Sequence, residues 1–346
     1  MSHTPANDPR LDPRIRGLLS GLPVFASLDV TSRDELLAEA ADPEAMASIT
    51  NYRAMMEVCD TEAVVSSVGL TVTTHHVVSQ PDGNTINIQY IRPDGDEVLP
   101  CVYYIHGGGM QSLSCYDGNY RAWGKILAHY GVAVAMVDFR NALSPSSVPE
   151  VAPFPAGLND CVSGLKWVHE HAASLHIDPT RIVVAGESGG GNLTLATGLQ
   201  LLRDGDIGLI TGLYALCPYI AGEWPLPEHP SAVENNGILL DLHSNRGRHA
   251  YGIEAFEARN PLAWPRFATA DEVAGLPRTV INVNECDPLR DEGIEFYRLL
   301  VNAGVAARCR QMMGTMHGTE IFPLVCPDIS HDTARDLTAF AKLAPA

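Results

Sequence analysis

The sequence predicts an α/β fold: a mostly parallel sheet of about eight strands, flanked by helices and covered by a helical cap. Three observations predict it. From Ile105 onward, short apolar runs alternate with stretches of helical periodicity, which is the sequence sign of parallel βα units. One run, Ile182 to Ala185, is unbroken and β-branched, as a strand buried on both faces would be, and passes within a few residues into a helical pattern from Asn192 to Leu202. Residues 1 to 65 and 218 to 265 stand outside the alternation.

The N-terminal segment has helical character over Leu11 to Leu22 and Ser32 to Val58, split by Pro23 and by the capping signal Thr31-Ser-Arg-Asp. Strands follow at Val72 to Ser79, Thr85 to Ile91 and Val98 to Ile105. The turn residues Pro81-Asp-Gly and Pro93-Asp-Gly separate them, so the sheet opens with hairpin-like, antiparallel connections. The alternation then runs through a helix at Asp117 to Tyr130, a strand at Val132 to Val137, a helix at Ala156 to His176, the Ile182 strand with its helix, and a strand at Ile210 to Leu216. Pro218 to Pro265 is rich in Pro, Gly, Trp and His with weak periodicity, as expected of a lid inserted over the strand ends. The pattern resumes with a strand at Thr279 to Asn284, a helix at Glu292 to Ala303, a strand at Ala306 to Met312 and a last helix near Thr333 to Leu343. The domain reading is therefore an N-terminal helical cap over 1–65 and a main domain over 66–346, with 218–265 as a cap or lid insertion.

Composition narrows the partners. The 346 residues carry 41 acidic and 23 basic side chains, a net charge of −18, which argues against nucleic acid or an anionic membrane because both need a basic face. Met1 to Arg16 lacks the apolar centre of a secretory signal, and no apolar run approaches the roughly 20 residues of a membrane span. A cytoplasmic protein is expected. The eight cysteines are scattered with no C-x-x-C pair or zinc spacing, and read as small buried hydrophobes in a reducing compartment.

The chemistry concentrates in a few loops. Gly186-Glu187-Ser188-Gly189-Gly190 is a G-x-S-x-G between strand and helix, a sharp reversal that lifts a serine hydroxyl clear of the sheet; alone, it could equally be a glycine-rich turn. Such an elbow requires a loop of backbone N–H donors upstream, an acid after a later strand and a histidine near the C-terminus. His106-Gly107-Gly108-Gly109 follows the strand ending at Ile105 and can turn N–H groups toward a substrate oxygen. The rival dinucleotide pattern fails at Ser112, where its third glycine should stand, and a plain turn is the other reading of the loop taken alone. Of three acids after the 279–284 strand, Asp287 is favoured because Pro288 fixes the turn just past the strand; Glu285 reads as a strand-end residue and Asp291 as a helix-start charge. Among 13 histidines, His317 lies past the last strand in Gly314-Thr-Met-His-Gly, ahead of His331 as a candidate. His169-Glu-His171 lacks metal-binding spacing and fits a solvated helix face.

In these motifs the chain resembles the bacterial hormone-sensitive-lipase-like carboxylesterases, α/β-hydrolases of family IV. The resemblance rests on His106 to Gly109, Phe154-Pro155 with Asp160, Asp178-Pro-Thr-Arg181, Gly186 to Asn192, Asp287 to Gly293 and His317-Gly318. It implies a serine esterase acting on short or medium acyl esters with no metal or cofactor. Ser188, His317 and Asp287 would form its triad, the N–H groups of Gly108, Gly109 and Gly189 its oxyanion hole, and His106 would orient the loop. It also implies a small-molecule ester as substrate and, commonly, a homodimer through the last strand. The chain departs from the family with Glu187 and Gly189 where Asp and Ala are frequent, with Phe139-Arg-Asn-Ala-Leu-Ser-Pro145, and with Thr319 and Glu320 after His317-Gly318. An amidase, lactonase or formamidase with the same residues, or a binding protein on the same fold, are the alternatives. Trp224, Trp264, Phe267, Met110 and Met316 are the candidate pocket walls, though most of them read equally well as core residues.

Overall fold

The structure, a computed structural model, describes residues 5–21 and 27–344. The expected helix end at Leu22 and break at Pro23 lie outside the described residues.

Eight strands form one sheet: β1 (Leu70–Val78), β2 (Thr85–Pro93), β3 (Leu99–Ile105), β4 (Ala133–Asp138), β5 (Ile177–Glu187), β6 (Gly212–Leu216), β7 (Thr279–Asn284) and β8 (Ala307–Met312), in the order β1-β2-β4-β3-β5-β6-β7-β8. β1 and β2 form the expected antiparallel hairpin, but β2 then pairs antiparallel with β4, and β3 lies further in, parallel to both β4 and β5. The hairpin pattern therefore stops one strand earlier than the turn residues suggested. Every residue of β4, and all of β3 after Leu99, is buried, so the pair belongs inside a parallel sheet and needs a helical crossover, whereas β1 is a largely exposed edge.

Two apolar layers sandwich the sheet. On one face α5 (Ala156–Glu170), α6 (Gly189–Asp204) and α11 (Arg290–Asn302) contribute Leu158, Leu165, Leu193, Leu199, Phe296 and Leu300. On the other, α4 (Gly118–His129) and α12 (Pro327–Lys342) contribute Trp123, Ile126, Leu337 and Phe340. α5 stops at Glu170, six residues before the expected His176, in a turn where Trp167 O accepts from the His171 backbone N–H at 3.0 Å. α12 starts at Pro327, earlier than expected, because proline suits the first helical turn.

The N-terminal helices are α1 (Pro13–Leu19), α2 (Arg33–Ala40) and α3 (Pro43–Met56). The single helix expected over 32–58 is two, since Pro43 has no N–H to continue the ladder and Asp42 caps the new start by accepting from Glu44 N at 2.8 Å. The capping signal holds: Ser32 accepts from Glu35 N at 3.3 Å and the Glu35 carboxylate from Thr31 N at 2.9 Å. Between β6 and β7 lie the short helices α7 (Ser231–Glu234), α8 (Arg246–Tyr251), α9 (Ile253–Glu257) and α10 (Ala270–Val273). No helix among the described residues is long and apolar enough to cross a membrane.

One buried ion pair locks the β4–α5 connection. Asp160, fully buried, accepts from the Arg140 backbone N–H, Nε and Nη2, each at 2.9 Å. Removing Asp160 takes away the buried partner of the guanidinium and leaves it only the half-exposed Asp82, 2.8 Å from Nη2. Asp160→Ala should therefore lower stability by about 3 kcal/mol in denaturant unfolding; a loss below about 1 kcal/mol would show that Asp82 alone compensates the guanidinium.

Candidate active site

β5 delivers Ser188 into a strained turn. Its φ of 58° and ψ of −120° lie where few side-chain-bearing residues sit. Three backbone bonds hold it: Ser188 N donates to Leu216 O at 2.9 Å, and Ser188 O accepts from Asn192 N and Tyr219 N, each at 3.0 Å. α6 begins at once, three residues before the expected Asn192. It can do so because Gly190 has no side chain: a Cβ there would lie 2.0 Å from Ile105 O.

The glycine loop leaves β3 beside this turn. Gly108 has φ +94°, and a Cβ on it would sit 2.2 Å from Ser112 O. Gly189 faces Gly109 and Met110 so closely that its Cβ would meet Met110 N at 2.5 Å. As the first residue of α6, Gly189 has an N–H with no partner inside the helix. His106 is buried beneath the loop, stacked on Phe139 at 4.3 Å, with Nδ1 2.9 Å from Gly107 O and Nε2 3.4 Å from Asp138 Oδ1.

Asp287 and His317 meet from the loops after β7 and β8. Asp287 Oδ1 accepts from Leu289 N at 2.9 Å, which fixes the carboxylate, and Oδ2 lies 2.8 Å from His317 Nδ1. Burial alone would lower the affinity of His317 for its proton, but the Asp287 carboxylate, with the Cys217 sulfur beside it, outweighs burial and holds His317 well above the usual histidine range. The rival residues are occupied elsewhere. Glu285 accepts from Gly314 N at 2.7 Å, Asp291 from Ser231 N at 2.7 Å, and His331 Nδ1 lies 3.0 Å from the Tyr130 hydroxyl. His171 stacks on Trp167 at 4.3 Å with no metal-like grouping.

Ser188, His317, Gly108 and Gly109 all line one cavity of about 470 Å³, a size suited to a small organic ligand. Trp224 lines it too, with Tyr52 from α3, Tyr219 and the stretch Leu239 to Leu242. The other expected wall residues do not. Trp264 is fully buried under Tyr219 and Tyr251, Met110 lies in the main core, Met316 packs against α1, and Phe267 packs on Phe256.

Residues 102–321 match the alpha/beta hydrolase fold family. Carboxylesterase NlhH of Mycobacterium tuberculosis is 33% identical over 258 residues, 73% of this chain and 76% of that protein. The chain belongs to the α/β-hydrolase family. Its likeness to two solved structures is closer. Esterase Est22 superimposes with a TM-score of 0.95 at 63% identity over 98% of this chain and 99% of that one, and its solved forms include an S188A mutant and one with p-nitrophenol. Brefeldin A esterase, described as a bacterial homologue of human hormone-sensitive lipase, gives a TM-score of 0.83 at 38% identity, covering 97% of this chain and 94% of that one. The hydrolase therefore sits on the hormone-sensitive-lipase-like branch.

Around the site, this hydrolase buries three carboxyl groups whose roles the sequence reading missed. Glu187 receives the hydroxyls of Tyr120 at 2.5 Å and Tyr104 at 2.9 Å, and the Tyr120 oxygen accepts from Gly107 N at 3.0 Å, so the residue before Ser188 also steadies the glycine loop. Burial pushes Glu187 up to about 7, although both tyrosines pull the other way. Glu292 accepts from Ile220 N, Ala221 N and Trp224 Nε1 at 2.7, 3.1 and 2.6 Å and fastens the cavity wall. Glu320 accepts from Asn282 Nδ2 at 2.6 Å and Asn284 Nδ2 at 3.1 Å, tying β7 to the His317 loop. The sequence did carry one signal for this last group: Asn282 and Asn284 stand two apart on one face of an otherwise apolar strand.

The N-terminal segment braces both loops from outside. Asp12 N donates to Gly314 O at 2.9 Å, and Arg10 Nη2 donates to Asn235 Oδ1 at 3.0 Å. Asn235 Nδ2 in turn donates to Asp287 O at 3.1 Å. Leu11, Ile15 and Leu19 pack against Cys286 and Met316, the neighbours of Asp287 and His317.

A carboxyl group held protonated by burial stabilises the fold below its unfolded pKa, here 4.5, and that contribution is lost as pH rises through about 7. Glu187→Gln cannot ionise and should escape this loss. The melting temperature of the wild type, relative to Glu187→Gln measured in parallel, is expected to fall between pH 5 and pH 8 by the equivalent of on the order of 3 kcal/mol; parallel curves would refute the buried-acid assignment.

Proposed function

We propose that the protein is a serine carboxylesterase in which Ser188 is the nucleophile, His317 the general base and Asp287 the group that orients it. The observation that carries this reading is the 2.8 Å contact between His317 Nδ1 and the buried Asp287 Oδ2, with His317 lining the same cavity as the strained Ser188. Asp287 holds the proton on Nδ1 and leaves Nε2 to take the Ser188 proton as Oγ attacks the ester carbonyl. The N–H groups of Gly108, Gly109 and Gly189 receive the oxyanion; the alcohol leaves with the proton from His317, and water repeats the sequence on the acyl-enzyme. Loss of one oxyanion donor costs on the order of 10² to 10³ in turnover. The relatives bearing the names carboxylesterase and esterase support the class of bond.

The cavity fits a short- to medium-chain acyl ester, with Trp224, Tyr219 and the leucines of the 239–242 stretch as its apolar wall. Tyr52 from the N-terminal helices and residues 239–247 from the insertion both reach it, which supports assigning 1–65 and 218–265 as cap over a catalytic domain at 66–346. β8 ends the sheet with one unpaired edge, the surface we assign to a homodimer. Unpaired cysteines throughout the described residues favour the cytoplasm.

Ser188→Ala should keep the wild-type melting temperature and lose aryl-ester hydrolysis, and a serine-directed phosphonate should label Ser188 in peptide mapping. Turnover retained by the variant removes Ser188 from the role. Across acetyl, butyryl, octanoyl and lauroyl aryl esters, kcat/KM should fall sharply at the longest chain. Because His317 must be neutral to act and Asp287 holds its proton, the acid limb of kcat/KM should lie above the ordinary histidine midpoint of about 6.5; a midpoint below that value would mean the carboxylate does not charge the pair.

A further inference from the structure

The mechanism leaves one side chain at the site unused. Cys217 follows β6 at a strained φ of 34°, its N–H bound to Asn282 O at 2.7 Å, and its side chain is fully buried. A sulfur, an imidazole nitrogen and a carboxylate oxygen from Cys217, His317 and Asp287 all lie within 4.8 Å of one another, the one such grouping among the described residues. The three come from the carboxyl ends of β6, β7 and β8, adjacent strands of one sheet, so a rigid scaffold presents them.

We propose that Cys217, His317 and Asp287 form an inhibitory binding site for a thiophilic divalent cation of the zinc class. Tetrahedral zinc bonds of 2.0–2.3 Å to S, N and O separate its ligands by about 3.3–3.6 Å, within reach of this grouping after small side-chain movements. A thiolate with an imidazole selects zinc or cadmium, whereas magnesium and calcium prefer oxygen alone. The cation would enter from the cavity that His317 lines, with Cys217 and Asp287 fully buried behind the ring. On binding, the Cys217 thiol gives its proton to solvent and the His317 proton passes from Nδ1 to Nε2; the sulfur, Nδ1 and an Asp287 carboxylate oxygen donate lone pairs to the cation, and the Asp287–His317 hydrogen bond is lost. The base is then unavailable to Ser188. C-x-x-C spacing was the wrong signal for such a site, because its ligands are distant in sequence and are brought together by sheet order.

The inhibition rests on the triad reading above; the binding does not. The test uses chelator-treated full-length protein. Zinc chloride, and not magnesium chloride, should inhibit aryl-ester hydrolysis reversibly, with recovery on adding chelator. Calorimetry should give one zinc per chain, and cobalt substitution should give a thiolate-to-cobalt charge-transfer band. Cys217→Ser and Cys217→Ala, each compared with its own metal-free rate, should raise the zinc inhibition constant at least tenfold and abolish the band. Ser188→Ala should still bind one zinc with wild-type affinity, so failure of the nucleophile assignment and failure of the metal site read out separately. No zinc inhibition, equal inhibition in both Cys217 variants, or a cobalt protein without a thiolate band overturns the proposal.

Discussion

The contact on which the carboxyl edge of this sheet depends is the approach of Gly190 to the carbonyl of Ile105. With no Cβ between them, α6 begins against the end of β3, and the glycine loop and the serine turn share one wall. The cost is local: a serine held at φ 58° carries strain of order 1–3 kcal/mol. It persists because Leu216, Asn192 and Tyr219 fix the turn on three sides. Any side chain at 190 would push α6 outward and carry Ser188 away from the loop that faces it.

Much of this arrangement was legible in the sequence because each candidate residue is next to a strand end. Ser188 stands out through its G-x-S-x-G, and Asp287 and His317 through their places after strands; strands in a parallel sheet are continuous apolar runs that need no partner to be recognised. What the sequence hid depends on neighbours. The exchange of β3 and β4 in sheet order leaves no trace in either strand, since both are buried on both faces. Trp224 and Trp264 are alike in composition and context, and only packing puts one on the cavity and the other under it. Cys217 was read as filler because nothing in its own segment points to a histidine a hundred positions away.

Polar groups buried behind the cavity explain how a site assembled from separate loops keeps its shape. Glu187, Glu292 and Glu320 each gather donors from elements that would otherwise touch only through apolar side chains: α4 to β3 and the glycine loop, α11 to the Trp224 wall, and β7 to the His317 loop. Such groups specify geometry better than apolar contacts, because a displaced donor cannot find water. Glu187 also sets an ionisable carboxyl group next to Ser188 in the chain while keeping it almost wholly from solvent.

The brace formed by Arg10 and Asp12 has a bearing on how the enzyme comes into being. Arg10 reaches an asparagine 225 positions later, and Asp12 reaches a carbonyl at Gly314, beyond all eight strands in the chain. During synthesis Arg10 and Asp12 are made long before their partners exist, so the segment carrying them is among the last to dock. A nascent chain that has already folded its elbow helix still lacks the loops that carry Asp287 and His317. Contacts of such long sequence separation slow folding, and they also delay hydrolytic competence until most of the polypeptide has been made.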